Sequence, residues 1–225
     1  CHCGSKDLVK AIFGDPRGYK PHLTPIPKPS KLEEAKQYLG VNPVGIVARN
    51  RSTYGRNLSL DFYKDLIKLL RDKGYTPIWL GEKQSTWPCP YDDIVDISRS
   101  EVAKDLELVL SIVAQLKFTI QFWTASTRLS AITQTPYIIF ESPDQIYLAQ
   151  EGFRMYLTTT GHRKLVLADY AVAYQNIDKT LEAVNEAIEG VEKEDWTELI
   201  RCVEDENNTK LLRSQFVQEY GKISE

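Results

Sequence analysis

Three arginines within eight residues mark the first place where this chain could do chemistry. The segment RNRSTYGRN, residues 49–57, carries Arg49, Arg51 and Arg56, with serine, threonine and glycine between them. Guanidinium groups bind phosphate oxygens in a bidentate manner, and a glycine lets backbone amides approach a ligand. The spacing therefore predicts a phosphate-binding loop, and a solvated basic loop is the alternative.

A second candidate lies in the segment FWTASTRLSAITQTP, residues 122–136. Hydroxyls and a guanidinium cluster there, at the point where a helix is expected to begin. One serine or threonine suffices to cap a helix, so the surplus favours an anionic ligand bound at the helix N-terminus over capping alone. The predicted anion contacts are Thr124, Ala125, Ser126, Thr127 and Arg128.

Further polar residues are candidates for contacts to a base, a ribose or a sugar. Carboxylates suit the recognition of hydroxyl groups, and a tryptophan can form a stacking wall. For each position, a surface or core side chain without a ligand is the alternative. The predicted contacts are Glu82, Ser98, Arg99, Trp123, Glu141 and Asp144.

Alternating strands and helices must position these segments. Short apolar runs predict strands, and apolar residues at helical spacing predict helices between them. Near-continuous apolar strands alternating with helices are typical of an α/β fold with a mainly parallel sheet, in which ligands bind beyond the carboxyl ends of the strands. Strands are predicted at 44–48, 75–81, 93–98, 117–123, 136–142 and 163–169, and helices at 59–74, 100–116 and 126–134.

The pattern divides the chain into three parts. Residues 1–40 are rich in proline and predict a lead-in or interdomain linker, which ends in a short helix capped by Ser30. Residues 41–175 hold the alternating strands and helices of the ligand-binding domain. Residues 176–225 are charged, with apolar residues at helical spacing, and predict a helical tail.

Composition excludes several classes of function. The 225 residues carry a formal net charge of −3, so no strong basic field attracts nucleic acid. No apolar run approaches the roughly 20 residues of a membrane span, and no secretory signal is visible. Four scattered cysteines favour a reducing compartment, and we expect a cytoplasmic protein. Because the chain opens with Cys1 and not with Met, we also expect that an upstream portion is missing.

Metal and common nucleotide motifs are weak or absent in the sequence. Cys1, His2 and Cys3 resemble half of a zinc site, but no second pair follows at zinc-site spacing, so we expect no metal. Neither GxGxxG nor GxxxxGK[ST] occurs, which disfavours a dinucleotide-dependent dehydrogenase and a P-loop nucleotidase.

The order of segments resembles the C-terminal, nucleotide-sugar-binding half of GT-B glycosyltransferases, most closely the heptosyltransferase-like group. VGIVARNRSTYGR resembles the family's first strand and basic loop, and Gly74-Tyr75 and Leu80-Gly81 resemble its "GY" and "LLG" motifs. WTASTRLSAITQTP aligns with its Asp-Ser-Gly, His-Leu-Ala and Gly-Thr-Pro motifs. Trp123, Arg128 and Gln134 depart from the family's Asp, His and Gly, and the resemblance covers roughly residues 20–147.

The resemblance implies a Rossmann-like fold and a nucleoside-diphosphate sugar as donor. Arg51 and Arg56 would lie on one side of the diphosphate and residues 124–128 on the other, without a metal or a cofactor. The resemblance also implies a missing N-terminal domain, since in GT-B enzymes that half binds the acceptor and often supplies the catalytic base. The acceptor (a glycan, a lipid or a protein) and the catalytic residues are therefore not identified. The alternatives are another GT-B enzyme, such as a nucleotide-sugar epimerase, and a non-catalytic nucleotide- or sugar-binding module.

Overall fold

The computed structural model describes residues 27–51, 57–122, 129–130, 132–141, 163–167, 176–194 and 200–202, with the backbone alone at 141, 163–167 and 200–202. The strands are β1 Pro43–Val47, β2 Thr76–Leu80, β3 Val95–Asp96, β4 Phe118–Phe122, β5 Tyr137–Glu141, β6 Arg163–Leu167 and β7 Ile200–Cys202. The helices are α1 Pro29–Ala35, α2 Leu60–Asp72, α3 Leu106–Val113 and α4 Ile177–Glu192.

All seven described strands form one sheet in the order β3-β2-β1-β4-β5-β6-β7. Every neighbouring pair is parallel. The predicted Rossmann-like α/β fold with helices flanking a parallel sheet is therefore confirmed. The chain moves outward from β1 to β3 and then returns to the other side of β1 as β4, so the strand order reverses between β1 and β4. This switch point is where open parallel sheets bind ligands.

Helices cover both faces of the sheet. Successive residues of a strand point to opposite faces, and apolar residues on each face pack against helices. On one face, here the α2 face, Val44 and Ile46 of β1 pack in a core with residues of α2 and α4. On the other face, here the α3 face, Val47 packs in a second core with residues of α1 and α3. The two cores explain why the strands read as continuous apolar runs.

Gly45 in β1 permits close packing on the α3 face. A Cβ atom at this position would lie 2.6 Å from Leu80 Cδ1, 2.8 Å from Leu116 Cδ1 and 3.0 Å from Thr119 Cγ2. These distances are shorter than the contact distance between carbon atoms. The missing side chain therefore lets Leu80 and Thr119 approach each other across β1.

Several predicted boundaries differ from the structure. Ser59 caps α2 as expected, its hydroxyl accepting from the Phe62 amide. Ser30 does not cap α1, because the helix starts with Pro29, a residue suited to the first helical turn. The predicted helix over 100–116 is interrupted: Glu101–Lys104 forms a 3₁₀ turn and Asp105 caps a separate α3. Within the tail, α4 is helical as predicted, whereas β7 is a strand paired with β6.

Asp105 joins α3 to α1. Its Oδ1 accepts from the Leu108 amide at 3.0 Å, and its Oδ2 lies 2.8 Å from Lys31 Nζ. The hydrogen bond from Lys31, followed by that from the Leu108 amide, holds the pKa of the Asp105 carboxyl below its ordinary range. A carboxyl whose folded pKa is depressed stabilises the protein above its unfolded pKa, and this contribution is lost as the pH falls through the folded value.

We therefore expect Asp105→Asn to destabilise the protein most near pH 7, with the difference from the natural sequence shrinking in acid. Asparagine keeps the helix cap but not the ion pair with Lys31. Urea midpoints from pH 7 down to the lowest pH at which both proteins fold measure the difference. Asp105→Ala, which also loses the cap, should be less stable than Asp105→Asn at every pH. A pH-independent difference for Asp105→Asn would contradict the assignment.

Candidate functional site

A cavity of about 260 Å³ lies on the α3 face of the sheet, at the switch point. The ends of β1 and β2, residues of β4 and one side of α3 contribute to it. Its walls are mostly apolar, and its polar groups fall into a charged rim and a buried floor. The described lining residues are Val47, Arg49, Arg51, Leu80, Gly81, Glu82, Ser85, Ile97, Ala103, Leu106, Val109, Val113, Thr119, Gln121, Leu129 and Ser130.

The rim carries two arginines that follow β1. Arg49 is only 5% exposed, and one of its guanidinium nitrogens donates to Asn57 Oδ1 at 2.8 Å. Arg51 is exposed and lines the same cavity. A buried guanidinium is desolvated, so its hydrogen bonds to an anion are stronger than those of a surface arginine.

Asn57 closes the loop that carries these arginines. Its Nδ2 donates to the Arg51 carbonyl at 2.7 Å, and its Oδ1 accepts from the Arg51 amide at 3.0 Å as well as from Arg49. The asparagine therefore fixes both ends of residues 51–57. Sequence reasoning missed this role, although an asparagine at the end of a glycine-containing loop often bonds to nearby backbone.

The loop after β2 folds over the end of β1. Gly81 has a φ of 119°, a left-handed conformation that glycine adopts without strain. The Asn50 amide donates to the Ser85 carbonyl at 2.8 Å, and the Trp87 amide donates to the Ala48 carbonyl at 2.8 Å. These bonds place Glu82 and Ser85 at the cavity.

A polar floor lies on β4 and the adjoining helical residues. Thr119, Gln121 and Ser130 are each 1% exposed. Gln121 Nε2 donates to Thr119 Oγ1 at 3.0 Å and to Ser130 Oγ at 3.1 Å, and the two hydroxyl oxygens are 2.9 Å apart. The apolar run over 117–123 predicts a strand and no ligand contact from Thr119 or Gln121. The signal was present, since Thr119 and Gln121 alternate with Phe118, Ile120 and Phe122.

Three of the predicted ligand contacts meet at this cavity: Arg49, Arg51 and Glu82. They come from the loops after β1 and β2, as expected from the rule for parallel sheets. Glu82 is exposed, and its carbonyl accepts from the Ser85 amide at 2.9 Å and from the Thr86 hydroxyl. Its carboxylate is thus presented by a turn at the rim.

Two other predicted contacts, Ser98 and Arg99, are not among the described lining residues. Ser98 Oγ donates to Asp96 Oδ1 at 2.6 Å, and Arg99 donates to Ser98 Oγ at 3.0 Å. The Arg99 guanidinium also donates to the carbonyls of Thr86 and Trp87, both at 3.1 Å. Arg99 therefore supports the loop after β2, and Ser98 connects Arg99 to Asp96.

For the other predicted contacts, the structure does not describe the side-chain positions. Glu141 is described only by its backbone, at the end of β5. The rest lie outside the described residues: Arg56, Trp123, Thr124, Ala125, Ser126, Thr127, Arg128 and Asp144.

The N-terminus of α3 also reaches the cavity, through Leu106. The carboxylate of Asp105 already accepts the Leu108 amide there, so this helix end does not present an open anion site. Within the described ranges, no group of three or more histidine, cysteine, aspartate or glutamate side chains could hold a metal ion. None of the described helices has both the length and the apolar character needed to cross a bilayer.

Comparison of the chain with protein-family models, with curated proteins and with solved structures gave no significant match. The chemistry of the cavity is therefore the basis on which a function can be argued.

Proposed function

We propose that this chain binds a nucleoside-diphosphate sugar and forms the donor-binding half of a GT-B-type glycosyltransferase. The observation that carries the proposal is the buried guanidinium of Arg49, which lines a cavity at the switch point of a parallel sheet. Open α/β sheets bind their ligands at this place, and arginine is the side chain best suited to phosphate oxygens.

The arrangement of charges suits the departure of a diphosphate. When the bond between sugar and diphosphate breaks, negative charge grows on the leaving oxygens. The guanidinium of Arg49, held by Asn57, would stabilise that charge without reorganisation, and Arg51 at the rim would add a second positive charge. Glu82, on the neighbouring loop, offers an acceptor for hydroxyl groups of the ribose or the sugar.

Backbone conformation supports the resemblance from which the proposal starts. Gly74 and Gly81 match glycines of the family's motifs and have φ values of 79° and 119°. Gln134, which stands where the family has glycine, has a φ of 58°. Glycine adopts such angles readily and other residues rarely do, so a glycine at each of these three positions in the family is compatible with the backbone of this chain.

Binding can be tested with a panel of nucleoside-diphosphate sugars, with the free sugars and inorganic pyrophosphate as controls. A ligand at about 100 times its dissociation constant stabilises the native state by about 2.7 kcal/mol, which raises the melting temperature of a protein of this size by about 5–10 °C. We expect such a shift from at least one donor, unchanged by EDTA, and saturable binding in calorimetry. If no donor binds in either experiment, the proposal is wrong.

Incubation of the bound donor with candidate acceptors then separates the transferase from the alternative module. Release of the nucleoside diphosphate together with a glycosylated product supports the transferase. The alternative is tight donor binding without turnover, both in this chain and in a version extended by any residues encoded upstream. That result supports a non-catalytic binding module.

A further inference from the structure

The floor of the cavity has hydrogen-bonding capacity that the proposed diphosphate contacts do not use. Gln121 Oε1 is buried and has no hydrogen-bond partner among the residues that the structure describes. Buried side-chain oxygens are normally satisfied, and leaving one without a partner costs free energy. This oxygen is therefore a candidate ligand contact.

The neighbouring hydroxyls fix the orientation of the Gln121 amide. Thr119 Oγ1 and Ser130 Oγ bond to each other, and each also lies within 3.1 Å of Gln121 Nε2. When the amide nitrogen faces the two hydroxyls, its two protons and one hydroxyl proton satisfy the three contacts among Gln121, Thr119 and Ser130. When the amide oxygen faces the hydroxyls instead, one hydroxyl proton is used between Thr119 and Ser130 and only one remains for the two contacts to the oxygen. One of these two contacts would then be repulsive.

This assignment of protons leaves one hydroxyl proton without an acceptor, in addition to the Gln121 oxygen without a donor. The two hydroxyls have two protons, and only one of these is used in the Thr119–Ser130 hydrogen bond. The described residues provide no acceptor for the second. The floor thus combines an amide oxygen and a hydroxyl proton on adjacent side chains, which is the complement of a ligand edge with a donor beside an acceptor.

The walls above the floor restrict the kind of ligand. Val47, Leu80, Ile97, Val109 and Val113 line the cavity and offer no side-chain polar atoms. A sugar placed there would bury several hydroxyls without partners, whereas a flat heterocycle has apolar faces and polar atoms only at its edge. The cavity is also slightly smaller than the roughly 300 Å³ of the smallest typical ligand sites, so it suits one ring system rather than a whole nucleotide sugar.

Strand register places the floor below the arginines. Val47 of β1 lies beside Gln121 of β4, and Gly45 lies beside Thr119. Arg49 follows Val47 by two residues, just past the carboxyl end of β1, so its Cα lies at most roughly 7 Å from that of Val47. A diphosphate at Arg49 and a ring at Gln121 are therefore compatible with one nucleotide.

We propose that Gln121, with Thr119 and Ser130, is the subsite that recognises the nucleobase. Gln121 Oε1 accepts from an N–H group on the hydrogen-bonding edge of the base, and a hydroxyl of the Thr119–Ser130 pair donates to the neighbouring ring acceptor. This inference rests on the proposed nucleotide-binding function and adds to it the residues that recognise the base by hydrogen bonds. It differs from the expectation from the sequence, which assigned base contacts to Glu82, Ser98 and Arg99.

Methylated nucleotides test the inference on the natural sequence. Calorimetry first ranks UDP, GDP, ADP and CDP, and then compares the tightest of them with its edge-methylated form: 3-methyl-UDP, 1-methyl-GDP, N6,N6-dimethyl-ADP or N4,N4-dimethyl-CDP. We expect methylation to weaken binding at least tenfold, because it removes the N–H donor and introduces a clash at the floor.

The same comparison is then made with Gln121→Met, which has a similar length but no amide. We expect it to bind the unmethylated nucleotide about tenfold more weakly and to lose most of the discrimination against methylation. Thr180→Val is the matched control, because it removes a buried hydroxyl from α4 on the opposite face of the sheet and should change neither value.

The outcomes separate the two proposals. If a nucleoside diphosphate binds but edge methylation changes its affinity less than twofold, the subsite is overturned and the proposed function stands. Equal discrimination in Gln121→Met and the natural sequence also overturns it. If none of the four diphosphates binds, both proposals fall. The methylation experiment needs no variant, so it decides even if Gln121→Met does not fold.

Discussion

The Arg49→Met variant is expected to bind nucleoside diphosphates about 30- to 150-fold more weakly than the natural protein, a loss of about 2–3 kcal/mol. The buried guanidinium would lose charge-assisted hydrogen bonds to phosphate, and methionine replaces it with an apolar chain. Calorimetric titration with the tightest nucleoside diphosphate measures the change, and the free nucleoside should be affected much less.

Two further variants make the Arg49 result specific. Arg49→Lys keeps the charge but not the planar fork, and we expect an intermediate affinity. Arg71→Met makes the same change of charge in the last turn of α2, where Arg71 bonds to Asp93 and lies over the Tyr91 ring. This control should bind normally. Equal affinities for Arg49→Met and Arg71→Met would exclude Arg49 from the phosphate site.

The largest effect on stability is expected from Trp79→Ala, a loss of about 3–5 kcal/mol in the free energy of unfolding. Trp79 is completely buried on the α2 face, with its ring 5.8 Å from that of Tyr63 in an edge-to-face arrangement. Its indole nitrogen donates to the Trp87 carbonyl at 2.9 Å. Alanine leaves a cavity and removes the indole hydrogen bond to the Trp87 carbonyl, which keeps only the one from Arg99. The expected loss is a large share of the roughly 5–15 kcal/mol that stabilises a domain.

Urea unfolding followed by far-UV circular dichroism measures this loss without depending on tryptophan fluorescence. Trp79→Phe keeps most of the aromatic contact but not the hydrogen bond, and should cost about 1–2 kcal/mol. Val95→Ala, on the exposed side of the edge strand, should change stability by less than about 0.5 kcal/mol. A loss below about 1 kcal/mol for Trp79→Ala would show that this residue is not central to the core.

Much of the fold could be predicted because it depends on local patterns. Apolar runs such as residues 44–48 and 118–122 are long enough to be strands and too apolar to lie at a surface. Ser59 and Gly74 bound α2 by side-chain and backbone chemistry that acts within one turn. The interruption at Asp105 was missed because the stabilising partner of this cap, Lys31, lies 74 positions away in the chain.

The candidate site was predictable only in part. The rule that ligands bind beyond the carboxyl ends of parallel strands selected Arg49, Arg51 and Glu82, and these residues do line one cavity. The same rule also selected Ser98 and Arg99, but Arg99 donates hydrogen bonds to the loop after β2 and Ser98 bonds to Asp96. Position at a strand end determines which edge of the sheet a residue occupies, but not which neighbour its side chain contacts.

The sequence by itself determined the alternation of strands and helices, the class of fold and the placing of arginines after the first strand. These properties follow from hydrophobic periodicity and capping, which act over a few residues. Only the tertiary structure decided that β4 lies beside β1, and with it which residues share a cavity. The polar floor follows from that pairing, since Thr119 and Gln121 belong to β4 and line the cavity beside Val47 of β1. Such a cluster depends on strand order and register, which link distant segments and leave no local signal of their partners.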